Sequence, residues 1–258
     1  MIPKIIHYTW FSNDPFPAEV QNCIDSWHHY MPDYEFRLWD MASVQNIDSP
    51  FLQEALRERK WAFASDFVRL YAVYHYGGIY LDTDVRVFKS YDRLLNDQAF
   101  IGRENSIHVE GRITEVYLSS HCFGAQQGDQ FIERCLNYYE DRHFVTSKDA
   151  TLPMSLRYDT KILPFIQSEI ASQMGYNSSA LMNTQQRCDG DLTIYPSCYF
   201  DCTEQRDESY CRHLALGAWR EKRSKQEKIT LGYKIKWRVE AFFRRMLRKR
   251  GYLMIEMK

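Results

Sequence analysis

The stretch Ala62-Phe63-Ala64-Ser65-Asp66-Phe67-Val68-Arg69-Leu70-Tyr71, continued at Tyr76-Gly77-Gly78-Ile79-Tyr80-Leu81-Asp82-Thr83-Asp84, decides how the rest of the chain is read. From Ala62 to Tyr76 it is helical in pattern and apolar on nearly every face, the mark of a buried helix. Gly77-Gly78 closes that helix and permits a tight return. Ile79-Tyr80-Leu81 then reads as a short strand, and Val85-Arg86-Val87-Phe88 as another. Helix, glycine turn and strand in this order point to an α/β sheet, whose ligands gather at strand ends. Asp66 and Arg69 lie three apart and share a helix face, and charges on a buried helix need specific partners. On extended backbone, residues two apart project to one side, so Asp82 and Asp84 can address one point. Two hard oxygen ligands suit Mg²⁺ or Mn²⁺, which keep waters and share their shell with phosphates.

Working outward, Lys4-Ile5-Ile6-His7-Tyr8-Thr9-Trp10-Phe11 reads as a buried first strand ending in the loop Ser12 to Pro17. A helix is expected from about Ala18 to His29, a strand over Tyr34 to Trp39, and a helix over Ser49 to Lys60. Beyond Gly111 the pattern loosens. Asp129 to Tyr139 and Pro164 to Met174 look helical, and Leu192-Thr193-Ile194-Tyr195-Pro196 looks like a strand.

The 258 residues give room for one large α/β domain with a small appendage. A chain of that size builds a full core without disulfides or metals. At 45% hydrophobic and 26% charged, the composition excludes disorder, collagen and simple coiled coil. No run of 18 apolar residues marks a spanning helix. The opening Met1-Ile2-Pro3-Lys4 lacks the features of a secretory leader, which makes the cytoplasm the expected location. Seven cysteines, an odd count, are expected as reduced thiols. Cys188, Cys198, Cys202 and Cys211 fall near His213, but their spacing shows no paired zinc knuckle.

Charge divides the chain. Arg220 to Lys258 holds 14 Lys and Arg against 4 Asp and Glu, leaving 19 against 30 in the first 219 residues. This sets the expected boundary: a catalytic domain over 1–219 and a basic amphipathic helical tail over 220–258. In that tail Tyr233, Ile235, Trp237, Val239, Phe242, Phe243, Met246 and Leu247 alternate with Lys and Arg, the pattern of a helix lying on an anionic bilayer. Nucleic acid is not an expected partner, because the acidic body would repel it.

Three blocks, Ile2 to Trp10, Ala64 to Arg69 and Tyr76 to Asp84, together resemble glycosyltransferase family 32, the family with a DXD sugar-binding motif. The resemblance is strong over roughly residues 1–105. It returns at Leu192 to Pro196 and at His213-Leu214-Ala215-Leu216-Gly217-Ala218-Trp219, where Ala218 replaces the family's Ser. It implies a GT-A type fold with a mixed central sheet flanked by helices, and retaining transfer of a hexose. The donor it implies is a nucleotide-diphosphate sugar, a UDP-hexose first and GDP-mannose second, with Mn²⁺ or Mg²⁺ as cofactor. The acceptor it implies is a glycan or lipid-linked saccharide in surface polysaccharide synthesis, met at the inner face of the membrane. By resemblance, Asp82, Asp84, Asp66 and Arg69 are the catalytic set, and Asp84, Asp82 and His213 bind metal. Trp10, Tyr80 and Trp219 join Asp66, Arg69, Asp82 and His213 in holding the donor.

Two other readings stand beside this one: a nucleotide-sugar or carbohydrate-binding module with reduced catalysis, and a two-carboxylate glycoside hydrolase. Retaining hydrolases place their carboxylates about 5–5.5 Å apart across the scissile bond. Strand neighbours two apart lie about 7 Å apart on one side, which favours chelation.

Overall fold

A computed structural model describes residues 1–217 apart from 107, 111 and 112. The expected boundary at Trp219, Ala218 beside it, and the basic tail lie outside the described residues. The first half runs β1 (Ile5–Thr9), α1 (Ala18–Tyr30), β2 (Glu35–Trp39), α2 (Met41–Val44), α3 (Pro50–Arg57), α4 (Trp61–Tyr76), β3 (Gly78–Leu81) and β4 (Val85–Val87). It continues with β5 (Ala99–Arg103), β6 (His108–Glu110), β7 (Ile113–Glu115), β8 (Leu118–Ala125), α5 (Gln130–Asn137), α6 (Met154–Arg157) and α7 (Leu163–Gln173). The last elements are β9 (Gln186–Cys188), β10 (Leu192–Tyr195), α8 (Ser197–Phe200) and β11 (Cys211–His213).

Seven strands form one sheet in the order β2-β1-β3-β8-β5-β10-β9. β1 pairs parallel with both β2 and β3, β5 pairs parallel with β10, and β8 runs antiparallel between β3 and β5. The expected mixed sheet flanked by helices is therefore what the chain builds. Alternation along its strands divides the core in two. Tyr80, Ile101 and Phe123 point to the side covered by α3, α4, α5 and α7, whereas Ile79, Leu81 and Phe100 point to the side covered by α1 and α8. Among the described residues no helix is long and apolar enough to cross a membrane.

Local chemistry explains the boundaries. Ser49 caps α3 by accepting from the Leu52 amide at 3.3 Å, with Pro50 in the first turn. Asp129 caps α5 by accepting from the Phe131 and Ile132 amides at 2.9 and 3.1 Å. α4 buries nine residues, among them Phe67, Val68 and Leu70, each worth about 1.5–3 kcal/mol of removed apolar surface. The turn that follows requires glycine. Gly77 and Gly78 have φ of 64° and 102°, and a Cβ on Gly78 would sit 2.7 Å from the Ile5 carbonyl oxygen. That turn returns the chain into the sheet, where β3 lies between β1 and β8.

Among the described residues six strands lie outside the expected set, β5, β6, β7, β8, β9 and β11. β5, β8 and β11 carry no alternating pattern, yet β5 and β8 form the middle of the sheet. All eight residues of β8 are buried, including Ser119, Ser120 and His121. The second departure concerns Asp82-Thr83-Asp84, which is a turn rather than extended backbone: the Val85 amide donates to the Asp82 carbonyl at 3.0 Å.

Candidate functional site

The turn between β3 and β4 brings Asp82 and Asp84 together, and each is held by a different part of the chain. Asp82 is fixed from inside the domain. Tyr80, one strand repeat earlier, donates from its hydroxyl to Asp82 Oδ1 at 2.9 Å. Behind it, Tyr80, Ser65 and Thr9 form a buried hydroxyl triangle with separations of 2.9, 3.0 and 3.2 Å. Arg69 supplies the permanent cation. It ion-pairs with Asp82 Oδ1 at 3.2 Å and Asp66 Oδ1 at 3.3 Å, and donates to Ser65 Oγ and the Ser120 carbonyl, both at 2.8 Å. Its guanidinium also lies 4.6 Å from the Tyr80 ring centroid. Asp66 Oδ2 accepts from the Leu163 amide at the start of α7. Burial pushes the Asp66 carboxyl up to about 6, although Arg69 pulls it the other way.

Asp84 is fixed from the far end of the described chain. β11 pairs antiparallel with β4, and His213 stands opposite Val85, the residue after Asp84. This register brings His213 Nε2 to 3.2 Å from Asp84 Oδ1. The backbone past β11 completes the hold: the Leu216 amide donates to Asp84 Oδ2 at 2.9 Å, and the Leu214 amide to the Asp84 carbonyl at 3.0 Å. Burial alone would raise the Asp84 carboxyl, but the bond and charge of His213 and the Leu216 amide hold it below the usual range. Burial likewise works against a charged His213, and is outweighed by the bond to Asp84 and the charges of Asp82, Asp84 and Asp201, which raise it. His121 stacks on the His213 ring at 4.5 Å and 23° and hydrogen-bonds the Phe200 carbonyl at 3.1 Å.

Of the residues singled out in the sequence, Asp66, Arg69, Tyr80, Asp82, Asp84 and His213 therefore meet. Asp66 and Arg69 lie only 9% and 5% exposed, with their polar atoms engaged by protein groups. Trp10 follows β1, its indole donating to the Asp14 carbonyl at 2.9 Å and its ring set edge-on to Phe16 at 5.0 Å. It makes no hydrogen bond to the cluster among the described residues; its neighbour Thr9 does. Trp219 lies outside the described residues. His7 is packed, as a strand residue should be: its ring bonds the Gly77 carbonyl at 2.8 Å and the Trp39 indole at 3.2 Å. Thr9, Ser65 and His121 escaped the sequence reading. Ser65 was detectable as a polar residue within a buried helix, and His121 within a Ser-Ser-His run that alternation does not explain.

The donor set suits a divalent cation. One ligand atom from each of Asp82, Asp84 and His213 lies within 4.8 Å of the others, the cluster of this kind found among the described residues. The 3.2 Å separation of His213 Nε2 and Asp84 Oδ1 is close to an octahedral edge, about 3 Å for bonds near 2.1 Å. Two carboxylates and an imidazole fit Mn²⁺ better than all-oxygen Mg²⁺. Cys188, Cys198, Cys202 and Cys211 are not part of this cluster; the Cys202 thiol instead faces the Cys211 carbonyl at 3.4 Å. Asp82 and Asp84 sit in a turn and not on extended backbone, and one carboxylate oxygen of each lies within 4.8 Å of the other, nearer than the 7 Å spacing expected of strand neighbours. What sets the pair apart from two carboxylates flanking a glycosidic bond is their shared third ligand and the arginine behind Asp82.

Residues 17–101 match the family described as a glycosyltransferase sugar-binding region containing a DXD motif. An inositol phosphoceramide mannosyltransferase of Schizosaccharomyces pombe is 33% identical over 119 residues, covering 43% of this chain and 32% of the relative. A mannosyl phosphorylinositol ceramide synthase of Saccharomyces cerevisiae is 33% identical over 120 residues, covering 44% and 31%. The chain thus spans about a third of the length of the curated relatives it matches. Among solved structures, a glycosyltransferase involved in glycosylation of the major capsid of PBCV-1 aligns at a TM-score of 0.44 and 10% identity, over 82% of this chain and 93% of that one.

Proposed function

This chain belongs to the family of glycosyltransferases with a DXD sugar-binding region, and from that premise we propose that it transfers a hexose from a nucleotide-diphosphate sugar to a saccharide acceptor. The observation that carries the reading is the convergence of His213 with Asp82 and Asp84, which makes the motif a three-ligand site. Bound there, a divalent cation supplies positive charge to the diphosphate as it leaves. The protein's own part is preorganisation. Arg69 and Tyr80 fix Asp82 in one orientation, and the Leu214 and Leu216 amides fix Asp84, so no side chain has to reorder as charge develops. By the family resemblance, transfer proceeds with retention at the anomeric carbon, Trp10 stacks on the nucleobase and Trp219 contacts the β-phosphate. The names of the relatives move mannose ahead of other hexoses, so GDP-mannose belongs in the donor screen beside the UDP-hexoses. The basic segment 220–258 is assigned to peripheral attachment at an anionic leaflet, on the strength of its composition.

The test is nucleotide release from UDP-glucose, UDP-galactose, UDP-N-acetylglucosamine and GDP-mannose, with Mn²⁺ or with excess EDTA. Turnover is expected from one donor, to require the cation, and to fall about a hundredfold or more in Asp84→Ala. Full activity of that variant, or full activity in EDTA, overturns the reading. Consumption of oligosaccharide with indifference to nucleotide sugars would make the protein a hydrolase, and donor affinity without turnover a binding module.

A further inference from the structure

Next to the start of α7, whose Leu163 amide donates to Asp66, lies an open concavity. Asp66 Oδ1 faces Arg69, and its Oδ2 faces the Leu163 amide. The segment leading into that amide, Tyr158 to Lys161, forms one wall of an open cleft of about 620 Å³. Lys161 is two residues from Leu163, at most about 7 Å along the chain. The cleft is therefore a neighbour of the carboxylate cluster and not part of it.

Its lining has a particular chemistry. Arg142 and Lys161 are its cations, but each already has an acid: Arg142 lies 3.7 Å from Asp159 and Lys161 2.7 Å from Glu169. A bare phosphate finds no uncompensated charge there, and Asp159 repels it. What the cleft does offer is hydroxyls. Ser155 and Thr160 line it, and their hydroxyls make no hydrogen bond among the described residues; Tyr158 backs it, buried, with its ring stacked on Phe144 at 4.9 Å. Free hydroxyls and paired ions able to donate and accept match a neutral polyhydroxyl ligand. Leu156, one of the lining residues, is 59% exposed, and Met154 and Ile162, next in sequence to lining residues, are 51% and 46% exposed, so the apolar rim of the proposed subsite is drawn from them.

We propose that this cleft is a saccharide-binding subsite, and that it holds the acceptor. The acceptor role rests on the transferase reading above; saccharide binding does not. The same sugar chemistry reaches the cleft from a free glycan or from a lipid-linked one, and the apolar rim gives an alkyl aglycone a place to lie.

The test uses the full chain and ligand-observed NMR with the methyl α-glycosides of glucose, galactose and mannose, and with their octyl counterparts. At least one methyl glycoside is expected to bind the wild type and to bind Asp84→Ala equally well. Thr160→Val and Arg142→Ala, both at the cleft surface, are each expected to weaken that binding tenfold or more. Tighter binding of the octyl glycoside, lost in Leu156→Asp, assigns the cleft to a lipid-linked acceptor, and equal binding assigns it to a free glycan. The proposal is overturned if no glycoside binds, or if binding survives both cleft variants and is lost in Asp84→Ala. Glycoside binding without nucleotide-sugar turnover would overturn only the transferase reading.

Discussion

The two aspartates of the motif are held by two unlike regions. Asp82 belongs to an interior frame made by β1, α4, β3 and β8, in which Arg69, Tyr80, Ser65 and Thr9 are all buried. Asp84 belongs to a peripheral latch, the β4–β11 ribbon with the backbone that follows it. The frame neutralises its aspartate with a guanidinium that never gives up its proton. The latch offers its aspartate two amides and an imidazole whose proton can leave. Asp82 is thus paired with a permanent cation, whereas the cation beside Asp84 is one that can be discharged. On the proposed function, the difference separates two jobs that share three residues of sequence: the frame carries stability and the latch carries ligation.

The sharpest way to break this division is Arg69→Met. Removing the guanidinium leaves Asp66 and Asp82 without their shared cation in the interior, an effect of about 3–5 kcal/mol. For a domain of this size, thermal unfolding followed by circular dichroism should show a fall on the order of 10 °C. Asp84→Ala in the same measurement should lose no more than about 2 kcal/mol. Equal falls in the two variants would dissolve the distinction.

A second, somewhat smaller effect comes from His7, which sits under the glycine turn of the frame. The Gly77 carbonyl can only accept and the Trp39 indole can only donate, so the ring is neutral with its proton on Nε2. Burial drives the imidazole down to about 4. Because the folded value lies below the unfolded one, the unfolded chain binds the extra proton between about pH 6.5 and 4. Stability from this group is therefore complete above 6.5 and is lost as the pH falls, by up to about 3 kcal/mol. Urea unfolding of wild type and His7→Gln across that window should show a steeper acid loss in the wild type. Parallel curves would mean that the ring is not held neutral by the fold.

The smallest effect compares one atom of the frame with one side chain of the latch. Tyr80→Phe deletes the hydroxyl that bonds Asp82 and should cost about 1–1.5 kcal/mol in urea unfolding. His213→Ala, whose side chain is 29% exposed, should cost less than about 1 kcal/mol while weakening Mn²⁺ binding. A reversal of that order would place the stability in the latch.

The frame was largely legible in the sequence and the latch was not. The apolar run of α4, the Gly77-Gly78 turn and the β3 residues each follow a local rule, and the structure places helix, turn and strand within a residue of expectation. β8 follows no such rule, because a central strand covered on both faces loses its alternation. Its buried Ser119, Ser120 and His121 look like surface in isolation. Arg103 at the end of β5 misleads in the same way: it is 1% exposed, and its guanidinium is taken up by the Ser179 and Met182 carbonyls. The family resemblance brought His213 to the motif, but local pattern gave no strand there. β11 is three residues long, and its placement comes from pairing with β4 across the sequence. The tight turn at Asp82-Thr83-Asp84 was hidden for the opposite reason, since the strands on either side suggested extended backbone throughout.

The latch also sets when the site can exist. The bond from the Leu216 amide to Asp84 spans 132 residues. At a synthesis rate of about 5–20 residues per second, Asp84 is added to the chain roughly 7–26 seconds before Leu216. During that interval the frame elements up to β3 are available to fold, but the motif has only two of its three ligands. On the proposed function, cation binding is thereby coupled to near-complete synthesis of the described chain, and a nascent or prematurely released fragment carries the motif without its third ligand.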